Sequence, residues 1–231
     1  MHKYKIAIVI PAFNEGTTIS NVVQSVKEYG VVIVVNDASN DNTKQEALAA
    51  GAILVNHDEN KGYDGALNSG FVKAVELNCD VIITFDGDGQ HNPKFINDYI
   101  VLLEQGFFVI IGIRNKLQRV SEYIFSWVAV RKWGIKDPMC GMKAFHVDVF
   151  NQLGVFDSYQ SIGTELVIFA ANQNIKIAQQ HVMVNLRKDK SRFGNRIFSN
   201  IIILRSLWFC LLYTSDAADD LLCVDLGGRR I

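Results

Sequence analysis

Ile6 to Ile10, Val31 to Val35 and Val81 to Phe85 are almost wholly apolar and rich in β-branched residues. A strand with one wet face alternates polar and apolar residues. These runs do not alternate, so both of their faces must be covered. Between them lie segments with helical signals: about Thr17 to Tyr29, about Thr43 to Ala50, and a helix to about Leu77 that follows the glycine-rich loop Asn60 to Gly70, a loop suited to close backbone approach to a ligand. Fully buried strands alternating with helices predict an α/β fold, a doubly wound, mostly parallel sheet flanked by helices in a single Rossmann-like domain.

Each run stops in polar residues. The first ends at Pro11, which removes a ladder donor, and passes into Asn14-Glu15-Gly16-Thr17-Thr18, where Thr17 or Thr18 is placed to cap the next helix. The second ends in Asn36-Asp37-Ala38-Ser39, and the third in Asp86-Gly87-Asp88-Gly89-Gln90-His91. Right-handed crossovers bring such strand ends to one rim, where open α/β sheets bind ligands. Asp86 and Asp88, at i and i+2, point the same way and offer hard oxygen ligands suited to Mg²⁺ or Mn²⁺ held jointly with substrate phosphates. Gly87 and Gly89 let the backbone approach a diphosphate. A polar turn accounts for Asp86 and Asp88 taken alone. Three acidic loops on one rim exceed what turns require and favour metal and nucleotide binding.

The 231 residues carry a formal net charge of -1, so no global field attracts nucleic acid. Cys79, Cys140, Cys210 and Cys223 show neither CxxC spacing nor zinc-site histidines, which argues for a reducing, cytoplasmic compartment. The amino terminus has no signal-peptide pattern, and no run of about 18 uncharged apolar residues is present. The end of the chain, Ser215 to Ile231, resembles translated sequencing-adapter read-through and is expected to be a non-native tail spanning 213–231, leaving 1–212 as the domain.

Beyond the central acids, Pro93 opens a helix that Gly106 ends, and Phe107 to Ile111 is a strand leading to Gly112-Ile113-Arg114. Ser121 to Trp133 is an aromatic helix that fits either a core or a partner. Asp137 to Phe145 is a turn entering a strand, Ser161 to Ala171 a helix with one acid, Glu165, in an apolar run, and Ile175 to Val184 a last strand before the basic loop Arg187 to Arg192.

In this order the motifs resemble glycosyltransferase family 2, inverting enzymes of the GT-A fold, and within it the polyprenyl-phosphate sugar transferases similar to dolichol-phosphate mannose synthase. The family's PxYNE motif stands as Pro11-Ala12-Phe13-Asn14-Glu15, and its DDxSxDxT pattern as Asn36-Asp37-Ala38-Ser39-Asn40-Asp41-Asn42-Thr43, with Asn36 replacing the first acid. The glycine-rich motif is Asn60 to Gly70, the DxD-x-QH signature Asp86 to His91, and the GSR strand end Gly112-Ile113-Arg114. DxxSGFR becomes Asp137-Pro138-Met139-Cys140-Gly141-Met142-Lys143; Gly163-Thr164-Glu165 and Arg187 with Ser191-Arg192 complete the set.

The resemblance implies a metal-dependent, inverting glycosyltransferase that moves a sugar from a UDP- or GDP-sugar to a polyprenyl phosphate or a growing glycan. It implies a nucleotide-sugar site at Pro11, Glu15, Asp37, Gly62, Asp86 and Arg114, with Mn²⁺ or Mg²⁺ on Asp88 and Asp86 beside it. Lys143, Arg187, Ser191 and Arg192 would face phosphates or the acceptor. Lys143 keeps the charge of the family's arginine and loses its fork. Asp137 is the first candidate for a general base and Glu165 the second. As alternatives, Asp137 reads as a helix cap or turn former and Glu165 as a buried ion-pair partner of Lys143 or Arg114. His91 reads as structural, with contact to the metal as the alternative. Residues 197–212 fit either an interfacial helix, with peripheral contact at the inner face of the cytoplasmic membrane, or a helix packing on the domain.

Two other functions fit the sequence less well. A sugar nucleotidyltransferase would carry a glycine-rich, arginine-containing loop after the first strand, where Pro11 to Glu15 stands instead. An inactive relative would have lost its acids, and Asp37, Asp86, Asp88 and Asp137 are all present.

Overall fold

The computed structural model describes residues 3–184 and 199–212. Its strands are β1 (Ile6–Ala12), β2 (Val31–Asp37), β3 (Ile53–His57), β4 (Val81–Thr84), β5 (Val109–Arg114), β6 (Lys143–His146) and β7 (Ile177–Val182). The helices are α1 (Ile19–Val26), α2 (Thr43–Ala49), α3 (Gly62–Glu76), α4 (Phe95–Glu104), α5 (Val120–Trp133), α6 (Val147–Leu153) and α7 (Glu165–Asn172), and residues 199–212 add a further helical segment. One seven-stranded sheet runs in the order β3-β2-β1-β4-β6-β5-β7.

All pairings are parallel except those of β6, which lies antiparallel between β4 and β5. The predicted gathering of carboxyl ends therefore holds for the other strands. At β6 it is the amino end, with Lys143, that reaches the rim, so the Asp137 to Met142 segment enters the sheet from the ligand side.

Side chains alternate across β1. Ile6, Ile8 and Ile10 join a core with α1 and α4, whereas Ala7 and Val9 join a second core with α3, α5, α6, α7 and the 199–212 segment. This two-sided burial is what a continuously apolar strand demands.

Four local features differ from the sequence reading. Most of the glycine-rich stretch is helix rather than loop, since α3 already begins at Gly62. Thr18 occupies the N-cap position of α1 without capping it, because its hydroxyl donates to Gly87 O (2.8 Å) and lies 3.1 Å from Glu15 Oε2. The helix expected from Ser161 starts only at Glu165, since Gln160, Ile162 and Gly163 all have positive φ, which no right-handed helix accepts. α6 was not anticipated; the His146 imidazole accepts from Asp148 N at its start and Gly154, at φ 81°, ends it.

Candidate active site

The loops after β1 and β2 are stitched together by short polar side chains. Asn14, itself at φ 55°, donates its backbone N–H to Ser39 Oγ (2.9 Å), and its Oδ1 accepts from Asn40 N (2.8 Å). Glu15 N donates to Thr43 Oγ1 (2.7 Å) and Gly16 N to Asp41 Oδ2 (3.0 Å). Burial alone would raise Asp41; the hydrogen bonds from Thr43 and Gly16 outweigh it and hold the carboxyl below its usual range. Glu15 is thereby fixed and buried beside the Gly87 carbonyl.

Asp37 is buried, and its oxygens are already engaged. Oδ1 meets His57 Nδ1 (2.7 Å) and accepts from Lys61 N (2.8 Å), while Oδ2 accepts from Gly62 N (2.9 Å). His57 reaches on to Ser69 Oγ (2.8 Å). Asp37 and Gly62 thus form a hinge that anchors the first turn of α3. Next to them Asn36 donates Nδ2 to Asn56 Oδ1 (2.8 Å), and its own Oδ1 is buried without a hydrogen-bond partner.

Asp86 lies at the end of β4 against His91 Nε2 (2.8 Å) and a hydrogen bond with Tyr63. Burial pushes its carboxyl up, but His91, with Lys143 and Arg114 nearby, holds it below the usual range. Gly141 makes room for it, since a Cβ there would stand 2.4 Å from Asp86 Oδ2. His91 is therefore an orienting group for Asp86. Asp88 receives Gln90 N (3.0 Å) on Oδ1. Among the described residues no three His, Cys, Asp or Glu side chains cluster as a self-sufficient metal cage. Two oxygen donors at the rim fit a hard divalent ion that completes its shell with phosphates and water.

The two candidate bases are tied elsewhere. Asp137 is buried and forms a forked pair with Arg114, Nε to Oδ2 at 2.8 Å and Nη2 to Oδ1 at 2.9 Å, while Arg114 N also donates to Oδ2 (3.1 Å). Arg114 in addition meets Glu122 (3.2 Å). Glu165 accepts from Ser158 N (2.5 Å) and Ser158 Oγ (2.9 and 3.0 Å), so its partner is a loop and neither Lys143 nor Arg114. Burial raises its carboxyl.

Pro11 borders the rim, its carbonyl 3.3 Å from where a Cβ on Gly87 would sit. Lys143 is buried; β4 fixes its backbone through Thr84 Oγ1, which accepts from Lys143 N (3.0 Å) and donates to Gly141 O (2.6 Å). Burial lowers its ammonium, opposed by Cys140, Asp137, Asp64 and Asp86. Arg187, Ser191 and Arg192 lie outside the described residues. His57 and Tyr63, which orient Asp37 and Asp86, were not singled out from sequence. The register that sets His57 directly opposite Asp37 across two parallel strands was the available signal.

This architecture matches solved glycosyltransferases. Glucosyl-3-phosphoglycerate synthase from Mycobacterium tuberculosis, in complex with Mg²⁺ and UDP, superposes with a TM-score of 0.73 over 90% of this chain and 80% of that one at 20% identity. Its complex with Mn²⁺ and UDP-glucose gives 0.72 over 90% and 79%, also at 20% identity. The fold is that of the GT-A glycosyltransferases.

The chain belongs to glycosyl transferase family 2, whose profile matches residues 7–154. A UDP-N-acetylglucosamine–dolichyl-phosphate N-acetylglucosaminyltransferase of Methanococcus voltae is 37% identical over 61% of this chain and 68% of its own length. An uncharacterized protein of Methanocaldococcus jannaschii is 27% identical over 90% of this chain and 92% of its own. The protein is a glycosyltransferase.

Proposed function

We propose that this enzyme transfers a sugar, with inversion, from a UDP- or GDP-sugar to a polyprenyl phosphate. The observation that carries the choice of acceptor is the engagement of both candidate bases, Asp137 by Arg114 and Glu165 by Ser158. An alcohol acceptor needs a carboxylate placed to take its proton. A lipid phosphate is already anionic and needs only positioning for in-line attack. Its oxygen forms the new bond to the sugar's anomeric carbon as the bond to the nucleoside diphosphate breaks, and the electron pair leaves with the diphosphate. Asp137 then serves to hold Arg114 at the rim.

Glu15 and the Asp37–Gly62 hinge shape the nucleoside side. Asn36 Oδ1, buried without a partner, is an acceptor for the ring N–H that uracil and guanine both carry. Asp88, with Asp86 beside it, would hold Mn²⁺ or Mg²⁺; that ion supplies charge neutralisation on the departing diphosphate. Lys143 adds positive charge for phosphates, as Arg187, Ser191 and Arg192 are expected to do.

The acceptor's membrane has a matching surface. On α5, Val120, Tyr123, Trp127 and Val130 are exposed on one stripe, and Ile201, Leu204, Trp208 and Leu212 form another on the 199–212 segment. The two helices meet through Ser121 and Asn200 and bury their other faces in the same core. Arg131 stacks over Trp127 (3.9 Å) and Arg205 over Phe209 (5.1 Å), so cations accompany the aromatic rings, as suits a bilayer surface. Among the described residues no helix is long and apolar enough to cross a membrane.

Calorimetric titration of UDP and GDP with and without Mn²⁺ tests the donor site. One nucleotide is expected to bind in a metal-dependent way in the parent protein, with the metal dependence lost in Asp88→Ala. Metal-independent binding, or binding untouched by the substitution, would remove Asp88 from the site.

A further inference from the structure

Asp64 is an acid inside the glycine-rich motif, and the mechanism above does not use it. It sits in the first turn of α3, directly after Tyr63, whose hydroxyl holds Asp86. Its Oδ2 accepts from Ile162 N (3.1 Å), and the Gly163 amide also stabilises the carboxylate. Its Oδ1 is buried without a hydrogen-bond partner. The segment it grips is strained, with φ 61° at the β-branched Ile162 and 65° at Gly163, where a Cβ would strike the Phe156 ring at 2.8 Å. Asp157 holds the same segment through Ser161 N (2.8 Å) and Tyr159 N (3.2 Å), and so presents a second carboxylate toward Asp64.

The Lys143 ammonium lies beside this segment, 3.7 Å from the Cβ position of Gly163. It is 1% exposed, and none of the ion pairs within 4 Å among the described residues includes it. Asp64, Asp86, Asp137 and the Cys140 thiol are the titratable groups that face it. Burial, then the Asp157 charge, pushes the Asp64 carboxyl up to about 7, against the pull of the Ile162 and Gly163 amides and Lys143. A buried cation and a half-buried acid whose Oδ1 is itself buried thus share one region without touching.

We propose that Asp64 is a positioning residue that sets how much of the Lys143 charge a bound phosphate experiences. Ionised, Asp64 offsets the ammonium. Protonated on Oδ1, the oxygen with no partner, it withdraws its share of that offset, leaving only Asp86, Asp137 and Cys140 facing the ammonium, while Oδ2 keeps its grip on Ile162. Proton uptake by Asp64 therefore strengthens phosphate binding at the rim without releasing the loop. The inference rests on the reading of Lys143 as phosphate-facing.

The test is calorimetry with UDP-glucose and GDP-mannose, whose diphosphates do not titrate near neutrality, in Mn²⁺ on the parent, Asp64→Asn and Lys143→Met. Affinity of the parent is expected to rise roughly threefold to tenfold between about pH 8 and about pH 6. Asp64→Asn should bind at the low-pH affinity throughout, and Lys143→Met should bind weakly with this rise abolished. A parent profile that is flat, or one that persists in Asp64→Asn, overturns the proposal.

A carbon-13 titration of the Asp64 carboxyl in the free parent protein reads the charge coupling without any nucleotide. A midpoint near neutrality that climbs further in Lys143→Met supports the proposal, and one at the ordinary aspartate value of about 4 overturns it. If neither sugar nucleotide binds while that titration behaves as expected, the donor assignment fails and the Asp64–Lys143 coupling stands.

Discussion

At the scale of single residues, the site is built by groups that orient other groups. His57 and two backbone amides arrange Asp37, His91 and Tyr63 arrange Asp86, and Asp137 arranges Arg114. A buried carboxylate with its lone pairs occupied is rigid, and rigidity at the rim is what positioning of two phosphates requires. Tolerance is tight at Gly141, where any side chain meets the Asp86 carboxylate. Gly141→Ala should lower nucleotide affinity by roughly tenfold or more. Calorimetry beside a thermal melt checks this: an unchanged affinity would mean that Asp86 can yield without consequence.

At the scale of elements, α3 carries the rim on its first turn and the sheet contact in its middle. A Cβ on Gly70 would stand 2.2 Å from Val9 Cγ1 and 3.2 Å from Val35 Cγ2, so glycine there sets the distance between helix and sheet. The glycine spacing that looked like a ligand loop is therefore partly a packing device. Gly70→Ala gains helix propensity of about 1 kcal/mol and loses about 1–3 kcal/mol to overpacking. A net fall in the denaturation midpoint is expected, together with weaker nucleotide binding because Lys61 to Asp64 moves with the helix. A midpoint that rises would show that Val9 gives way freely.

At the scale of the whole molecule, the reversed strand β6 brings the Asp137 to Lys143 segment to the ligand edge, and α5 leads from that edge to the exposed aromatic surface. Glu122 joins the two, paired with Arg114 at 3.2 Å and Arg119 at 3.0 Å. On the proposed function, a lipid-linked acceptor would approach along these exposed helices close to the rim. Replacing Trp127 and Trp208 together with Glu should reduce cosedimentation with anionic vesicles and leave nucleotide titrations unchanged. Equal sedimentation of parent and variant would assign that face to another partner.

Strand identity, the mostly parallel sheet and the rim acids could be read from residue order, because fully apolar strands and abrupt polar ends are local consequences of burial on both faces. The family resemblance was carried by motifs in register, and Asp37, Asp86 and Glu15 do converge on that rim, with Asp88 completing its acidic loop. What local pattern leaves open is which partner each acid chooses. Asp137 and Glu165 looked alike as candidate bases, yet one is clamped by an arginine from another strand and the other by a serine in a neighbouring loop. The direction of β6, the α3 glycine packing, and the meeting of Asp64 with residues 98 positions away likewise depend on long-range contacts. Periodicity and spacing report what a segment buries; only the assembled tertiary structure decides what it buries against, and so what charge and hydrogen-bonding capacity remain for a substrate.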